Sequence, residues 1–237
     1  MKFDSPSGGL PPPARCGRRS GGVRLRSAAC LLRWAARLLP GAEGEVAGLH
    51  TVVPPGAVCV DVGTARMMCV VTLSALAGPQ GRVHLFEPLG RRARWSAAVA
   101  ALLGGTNVVV HRVAVGRRDR GRAPHTGGHR PQTLDGVGRR LGLERVDFIK
   151  VDAGNDGYGV LTGAFHTLLR DRPVLLIQTE MRHRPGHCSD PGSLVGNLTV
   201  TLGYRMYRWG AGGWQHTADI TDDCRTYLFR AGPPRPP

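Results

Sequence analysis

The stretch VCVDVGTARMMCVVTLSALAGPQGRVHLFEP, residues 58–88, decides the fold of this chain. Its first five residues, 58–62, form a short apolar run rich in β-branched side chains, which predicts a buried strand that ends at Gly63. Residues 66–77 form too long a run for a strand and lie between glycines, so they predict a helix. Residues 83–86 predict a second strand. Strand, helix and strand in this order make a βαβ unit, whose right-handed crossover implies a parallel sheet.

The end of the first strand is the natural place for a nucleoside ligand. Backbone N–H groups of the turn and of the helix N-terminus attract anions, and Gly63 has no Cβ to keep a ligand away. Glu87 follows 24 residues later, at the carboxyl end of the neighbouring strand. A carboxylate at that position can accept hydrogen bonds from two ribose hydroxyls. The alternative is a βαβ unit without a ligand and with a surface glutamate.

The glycine pattern indicates which nucleoside is bound. The dinucleotide pattern G-x-G-x-x-G is not met, because its second and third glycines would be Ala65 and Met68. A pyrophosphate needs the close backbone approach that those glycines allow, whereas S-adenosylmethionine (SAM) carries no phosphate. The sequence therefore favours SAM over NAD.

The composition fits one globular domain. With 237 residues, 41% of them apolar, the chain is long enough for a single α/β domain of about 200 residues and a tail. No run of 18 apolar residues occurs, so no membrane span is expected. We expect a disordered basic tail over residues 1–26, a helix and a leading segment over 27–49, the domain over 50–232 and a second tail over 233–237.

The high positive charge has two interpretations. The net charge is +15, and every basic residue other than Lys2 and Lys150 is an arginine. Abundant arginine, alanine, glycine and proline together indicate GC-rich coding, and we favour this explanation over a nucleic-acid surface. The few aromatic residues are not interleaved with arginines, as stacking platforms for bases would be. A nucleic-acid partner is therefore not expected.

The cysteines and the N-terminus bear on the location of the protein. The six cysteines include no C-x-x-C pair, which removes the support for a zinc-ribbon or thioredoxin-type site. Since no secretion signal is visible, reduced thiols and a cytoplasmic location are the simplest interpretation. An acid-poor, arginine-rich N-terminus also resembles an organelle transit peptide, which is the alternative.

Strand and helix patterns alternate through the rest of the chain. Strands are predicted at 107–110, 146–151, 174–179, 203–209 and 225–230, helices at 27–39, 89–103, 133–141 and 160–170, and a glycine-rich turn at 153–159. Val113 and Ala114 follow the first of these strands. In a SAM-type fold such apolar residues lie against the adenine, although ordinary strand burial explains them equally well.

Four segments together resemble one family. VCVDVG at 58–63, HLFEP at 84–88, the run TLDGVGRRLGLERVDFIKVDAGNDGYGVLTGA at 133–164, and RPVLLIQTE at 172–180 are similar to the FkbM-type SAM-dependent methyltransferases. The resemblance covers about residues 50–210. It implies a three-layer, Rossmann-like class I methyltransferase fold, with a mostly parallel seven-stranded sheet and helices on both faces. It also implies methyl transfer, usually to an oxygen of a sugar, a polyketide or another small molecule.

The resemblance also assigns roles to individual residues. Asp61 and Gly63 would line the methionine end of SAM, Glu87 would hold the ribose, and Asp152 would face the sulfonium and the methyl acceptor. A base that takes the acceptor's proton would lie after the fourth or fifth strand, and we single out Asp152 and His183. The other candidates there are Asp156, Glu180 and His187. The cluster His183, His187, Cys188 and Asp190 is interpreted as a solvated loop, with a substrate-binding or base role as the first alternative and a metal site as the second.

Three positions in the loops after the first and fourth strands depart from the family's pattern. Where the family commonly has D-V-G-A-N-x-G, this chain has DVGTARM, so that Ala65 replaces the asparagine and Met67 the second glycine. Gly154 replaces an acidic residue after the fourth strand. These changes support an alternative hypothesis, a catalytically degenerate methyltransferase-like domain that acts as a partner subunit. A nucleic-acid-modifying methyltransferase is a third hypothesis, based on the charge.

Overall fold

The computed structural model describes residues 14–15, 26–27, 30, 44–63, 67–117, 130–152, 157–178 and 191–232. The described strands are β1 (Ala14–Arg15), β2 (Val58–Val62), β3 (Arg82–Phe86), β4 (Val108–His111), β5 (Phe148–Asp152), β6 (Val174–Gln178), β7 (Tyr204–Gly210), β8 (Gly213–His216) and β9 (Thr226–Ala231). The helices are a 3₁₀ helix (Gly44–Thr51), α1 (Met67–Ala77), α2 (Gly90–Leu102), α3 (Leu134–Leu141), α4 (Gly157–Thr162), α5 (Phe165–Asp171) and α6 (Pro191–Gly196), which continues into a π-helical turn (Asn197–Thr201).

The described strands form a single sheet in the order β1-β4-β3-β2-β5-β6-β9-β7-β8. The five neighbouring strands β4, β3, β2, β5 and β6 run parallel to one another. Strand β9 is antiparallel to both of its neighbours, β6 and β7. The mostly parallel sheet predicted from the sequence is confirmed, with two edge strands, β1 and β8, added to the seven expected. Because the chain leaves β2 toward β3 in one direction and returns to β5 on the other side, the carboxyl ends of β2, β3 and β5 form a crevice where ligands bind in such sheets.

Each face of the sheet is covered by its own helices. On the first face, a buried apolar cluster joins the sheet to the 3₁₀ helix, α1 and α2. On the second face, a separate cluster joins the sheet to α3, α4, α5 and α6. Side chains alternate along a strand, so Val60 and Val62 of β2 face the second cluster while Cys59 faces the first. Burial raises the pKa of the Cys59 thiol, so this cysteine acts as a small apolar side chain rather than a reactive group.

The helix predicted at 160–170 is in fact two short helices, and α4 begins inside the turn predicted at 153–159. The break between α4 and α5 has a tertiary cause. The carboxylate of Asp135 on α3 accepts hydrogen bonds from the backbone N–H groups of His166 and Thr167 and from the Thr167 hydroxyl, at 2.7–2.9 Å. These bonds satisfy the free N–H groups at the start of a new helix. At the break, a Cβ on Gly163 would lie 2.7 Å from the Gly116 carbonyl oxygen, so only glycine fits there.

The segment before β2 is held by the β7–β8 hairpin. The indole Nε1 of Trp214 donates a hydrogen bond to the Gly48 carbonyl oxygen at 3.3 Å. A Cβ on Gly48 would overlap the ring of Trp209, so glycine is required for the 3₁₀ helix to pack against the two tryptophans. The sequence did not predict this helix.

The predicted N-terminal tail and the helix at 27–39 lie largely outside the described residues. Within the tail, Ala14 and Arg15 form β1 and pair with Val110 and Val109 of β4, a strand that the sequence pattern does not predict. Among the described helices, none has the length and apolar character needed to cross a bilayer.

Candidate functional site

The turn after β2 is built around Gly63. Its φ of +78° is in the left-handed region that favours glycine. Its N–H donates a hydrogen bond to the Phe86 carbonyl oxygen at 3.2 Å, which ties the turn to the end of β3. In the parallel register Val62 pairs with Phe86 on one side and with Val151 on the other. One residue further along, Gly63 therefore lies between Glu87 and Asp152, as the carboxyl-edge site requires.

Glu87 is a buried carboxylate at this edge. It is 3% exposed, and its Oε1 accepts a hydrogen bond from the Leu89 N–H at 2.9 Å. No described residue donates a hydrogen bond to its Oε2, which leaves that oxygen available to a ligand's hydroxyl group. Burial raises the pKa of Glu87, and the Asp61 carboxylate adds to this rise, while the Leu89 N–H and Arg92 act in the opposite direction. Asp61 pairs in register with Leu85, two residues before Glu87, so the two carboxylates point to the same face of the sheet.

The Asp61 side chain lies on the first face of the sheet and pairs with Lys150, which was not among the predicted site residues. Asp61 and Lys150 are register partners on β2 and β5, and the Lys150 Nζ is 3.7 Å from the Asp61 Oδ1. The two side chains are 0% and 4% exposed. A buried ion pair of this kind is costly to desolvate, and it fixes the position of the carboxylate it holds. The sequence does contain a feature that could have indicated this pair: Lys150 lies inside the apolar strand FIKV, in a chain with only two lysines.

Asp152 is the last residue of β5 and lies two positions after Lys150, so it points to the same face of the sheet. It is 9% exposed and pairs in register with Gln178 of β6. The structure thus brings Asp61, Glu87 and Asp152 to one edge of the sheet, around Gly63. His183, the other predicted base, lies outside the described residues, as do Asp156, Glu180, His187, Cys188 and Asp190. Among the described residues, no three His, Cys, Asp or Glu side chains are grouped closely enough to hold a metal ion.

Val113 and Ala114 follow β4 next to Glu87. The Glu87 N–H donates to the His111 carbonyl oxygen at 3.0 Å, and the residues after His111 therefore lie beside the candidate ribose site. Both are 5% exposed, and the Ala114 carbonyl accepts a hydrogen bond from the Gln132 N–H. Val113 also belongs to the apolar cluster of the second face. An adenine contact and ordinary strand burial are both compatible with this placement, so the adenine role stays a prediction.

Met67, which replaces the family's second glycine, is the first residue of α1. It is 7% exposed and belongs to the first-face cluster. Its side chain is thus part of the packing between α1 and the sheet. The neighbouring departures from the family's pattern, at Ala65 and Gly154, lie outside the described residues.

A groove of about 420 Å³ lies elsewhere, between α3 and α5. Its lining includes Leu143 and Val146, which come just before β5, together with Arg139 and His166. These residues are at the amino end of β5, the opposite edge of the sheet from Gly63. The groove is therefore separate from the candidate cofactor site.

Two buried histidines lie next to the site on the second face. His84 of β3 and His111 of β4 have their Nδ1 and Nε2 atoms 3.0 Å apart, and the His111 ring stacks on Phe86 at a centroid distance of 4.8 Å. The other ring nitrogen of His84, Nε2, is buried without a hydrogen-bond partner among the described residues. The pKa of both histidines is lowered to about 4, chiefly by burial, and for His84 the nearby His111 and Arg82 contribute to this lowering. Both rings are therefore neutral at neutral pH.

This pair predicts acid sensitivity. An unfolded histidine takes up its proton near pH 6.5, whereas these two do so near pH 4, so the unfolded state binds more protons between those values. The free energy of unfolding should fall as the pH is lowered through that window, by about 3 kcal/mol per histidine. Denaturant titrations at several pH values measure this dependence. His84→Gln should reduce this dependence by about half, because His111 remains, whereas His216→Gln, at an exposed position, should leave it unchanged. An equal slope in the wild type and in His84→Gln would contradict the assignment.

Solved structures with a similar fold are methyltransferases. Methyltransferase FkbM from Methylobacillus flagellatus is 19% identical with a TM-score of 0.53, and the match covers 88% of this chain and 59% of that chain. The O-methyltransferase TomG from Streptomyces achromogenes, solved in complex with SAM, is 15% identical with a TM-score of 0.50 and 92% of each chain covered. Fibrillarin from Aeropyrum pernix, solved with natively bound SAM, is 14% identical with a TM-score of 0.50, covering 87% of this chain and 76% of that chain.

No protein-family model matches the chain, and no curated protein matches it in a sequence search. At identities of 14–19% the structural likeness concerns the fold. In this chain the fold has a parallel β4-β3-β2-β5-β6 core and an antiparallel β9. The chain has the Rossmann-like α/β fold of the class I SAM-dependent methyltransferases.

Proposed function

We propose that the chain is a cytoplasmic, FkbM-type, SAM-dependent methyltransferase that methylates an oxygen of a small molecule. One observation carries the proposal: the hydrogen bond from the Gly63 N–H to the Phe86 carbonyl oxygen places a glycine turn directly beside the buried carboxylate of Glu87. A turn without a Cβ admits a ligand, and an adjacent carboxylate selects a ligand with hydroxyl groups. This combination fits an adenosine-bearing cofactor.

The residues at the edge of the sheet match the parts of SAM. Glu87 presents Oε2 as an acceptor for ribose hydroxyls, while Oε1 is held by the Leu89 N–H. Asp61, held by Lys150, is an anion suited to the ammonium of the methionine end. Val113 and Ala114 provide the apolar surface for the adenine. When bound, SAM supplies a methyl group activated by its sulfonium.

The chain itself has to orient the acceptor and take its proton. Alignment of the reacting atoms contributes most to such a transfer, because it replaces a bimolecular encounter. Asp152 lies at the end of β5, level with Gly63, where a carboxylate can receive the proton of the attacking hydroxyl. His183 is the second candidate for this role.

One surface favours a nucleic acid as a second candidate acceptor. We define the α2 surface as Arg91, Arg92, Arg94 and Trp95 of α2, together with Arg112 after β4. All five are exposed; the four on α2 begin four residues after Glu87, and Arg112 packs against Gly90 at the start of the helix. A third candidate, an inactive methyltransferase-like partner subunit, is supported by the departures at Ala65, Met67 and Gly154.

Calorimetry of the pure, folded protein with SAM and with S-adenosylhomocysteine tests the cofactor. We expect one site that binds both compounds, and the absence of any binding would refute the proposal. A transfer assay with methyl-labelled SAM and fractionated cell extract then identifies the acceptor. Label in the small-molecule fraction supports the first candidate, and label in the nucleic-acid fraction supports the second. SAM binding without any transfer in any fraction supports the inactive subunit.

A further inference from the structure

We propose that the α2 surface binds single-stranded nucleic acid, with phosphates on its guanidinium groups and a base stacked on Trp95. The proposal concerns binding alone and holds whichever molecule accepts the methyl group. It rests on three arginines and one tryptophan in the first turns of one helix, and on a fourth arginine that packs against the start of that helix.

The charges on α2 are placed where a helix alone would disfavour them. Arg91, Arg92 and Arg94 all lie in the first turns of the helix, which has no acidic residue in its first turn, and its N-cap residue, Leu89, makes no side-chain capping bond. The N-terminus of a helix carries a partial positive charge, so cations there are unfavourable. Since this arrangement costs helix stability, an anionic partner gives it a physical reason.

A fourth arginine reaches the same point from another strand. Arg112 follows β4, and a Cβ built on Gly90 would lie 2.7 Å from its Nη2 atom. Its guanidinium therefore packs against the first residue of α2 and joins the three arginines of the helix. The start of α2 thus carries four exposed guanidinium groups that come from two segments.

Trp95 provides the apolar part of the surface. It is 57% exposed, and it lies four residues after Arg91, hence one turn further along the same side of the helix. A base that stacks on an exposed indole while its phosphates contact neighbouring arginines is the usual mode of single-strand binding. The chain as a whole shows no interleaving of aromatic residues with arginines, but on α2 Trp95 directly follows Arg94 and the helix places it on the same side as Arg91.

The α2 surface borders the candidate cofactor site. Arg92 lowers the pKa of Glu87, against the larger effect of burial, so its charge acts on the carboxylate proposed to hold the ribose. The Leu89 N–H, just before the helix, donates to the same carboxylate. A strand bound on α2 would thus pass close to the methyl donor.

Two other occupants fit the surface less well. In a symmetric dimer formed through α2, each arginine would face arginines of the second copy, and this repulsion would not be compensated. For insertion into an anionic membrane, the exposed side beyond Trp95 offers Ala98, Ala101 and Leu102, which is a small apolar area for a membrane-bound helix. A single strand needs only the charges and one aromatic ring.

Fluorescence anisotropy with a labelled, mixed-sequence, 20-nucleotide single-stranded RNA tests the proposal on the full chain. With four phosphate contacts, log Kd should rise with log salt with a slope of about 3, so affinity should fall about 50-fold between 50 and 200 mM salt. Trp95→Ala should weaken binding about 5-fold or more. Arg91→Gln with Arg94→Gln should lower the slope by about 1.4. The matched control, Arg139→Gln with Arg140→Gln, removes the same charge from exposed positions on α3.

The control distinguishes a built surface from the general basicity of the chain. An equal loss of RNA affinity in the two double variants, or no loss of RNA affinity in Trp95→Ala, would overturn the proposal. Binding to anionic vesicles but not to RNA would show a membrane surface instead. Self-association in sedimentation runs that disappears in Trp95→Ala, without RNA binding, would show a dimer interface and would likewise overturn it. SAM calorimetry on Trp95→Ala reports separately on the cofactor site, so the two proposals can fail independently.

Discussion

Replacing Lys150 with methionine is expected to lower the free energy of unfolding by about 3–5 kcal/mol. The Lys150 Nζ lies 3.7 Å from Oδ1 of Asp61, and neither side chain is more than 4% exposed. Methionine removes the positive charge but keeps the length of the side chain, so the buried Asp61 carboxylate loses the attraction of Lys150 without a large cavity. Urea titration monitored by circular dichroism measures the change.

A double-mutant cycle separates the pair from general packing. Asp61→Asn with Lys150→Met removes both charges, and since a buried pair can often be replaced at little cost, this double variant should recover much of the lost stability. Arg208→Gln, which breaks an exposed pair with Asp223 at 3.5 Å, should cost less than about 1 kcal/mol. If Lys150→Met cost no more than Arg208→Gln, the Lys150–Asp61 pair would not be the structural support described above.

Replacing Glu87 with glutamine is expected to raise the Kd for SAM about 10- to 150-fold. Glutamine keeps one oxygen for the Leu89 N–H but removes the negative charge that strengthens hydrogen bonds from the ribose. Hydrogen bonds to charged groups contribute about 1.5–3 kcal/mol, which corresponds to that range. Calorimetry measures the affinity directly, and it does not depend on knowing the acceptor.

The matched control is Glu144→Gln, an exposed glutamate that lies before β5 at the opposite edge of the sheet. It removes the same charge and should leave the Kd for SAM unchanged. In the wild type, SAM binding should also weaken as the pH falls through the range where Glu87 becomes protonated. Burial raises its pKa, so this loss should begin at a higher pH than for an ordinary glutamate. Unchanged SAM affinity in Glu87→Gln would remove the ribose role of this residue.

The sequence predicted the core of the fold because that core depends on local patterns. The apolar run 58–62, the glycine after it and the helix before the next strand are each visible within 30 residues, and the observed β2, α1 and β3 follow them closely. The adjacency of Gly63 and Glu87 follows from the βαβ unit itself. For the same reason the resemblance to class I methyltransferases could be recognised from four short segments.

Other features arise from contacts between residues far apart in the sequence. Asp135 starts α5 by capping it from α3, some 30 residues earlier, so the chain between 160 and 170 does not reveal the break. The hydrogen bond from Trp214 to Gly48 spans 166 residues and holds a 3₁₀ helix that has no clear pattern of its own. The α2 surface likewise depends on tertiary structure, because the helix places Trp95 on the same side as Arg91 and the fold brings Arg112 from the end of β4 to Gly90.

The sequence by itself determined the class of fold and predicted the edge of the sheet where the candidate site lies, because strand and helix periods and glycine turns are local properties. Only the tertiary structure decided which charges meet there. Asp61 and Lys150 are 89 residues apart in the chain and become partners because the parallel register aligns β2 with β5. His84 and His111 likewise become a neutral pair only through the register of β3 and β4 and their burial beneath the second face. Electrostatic interactions depend on distance and on exclusion of water, and the folded chain sets both.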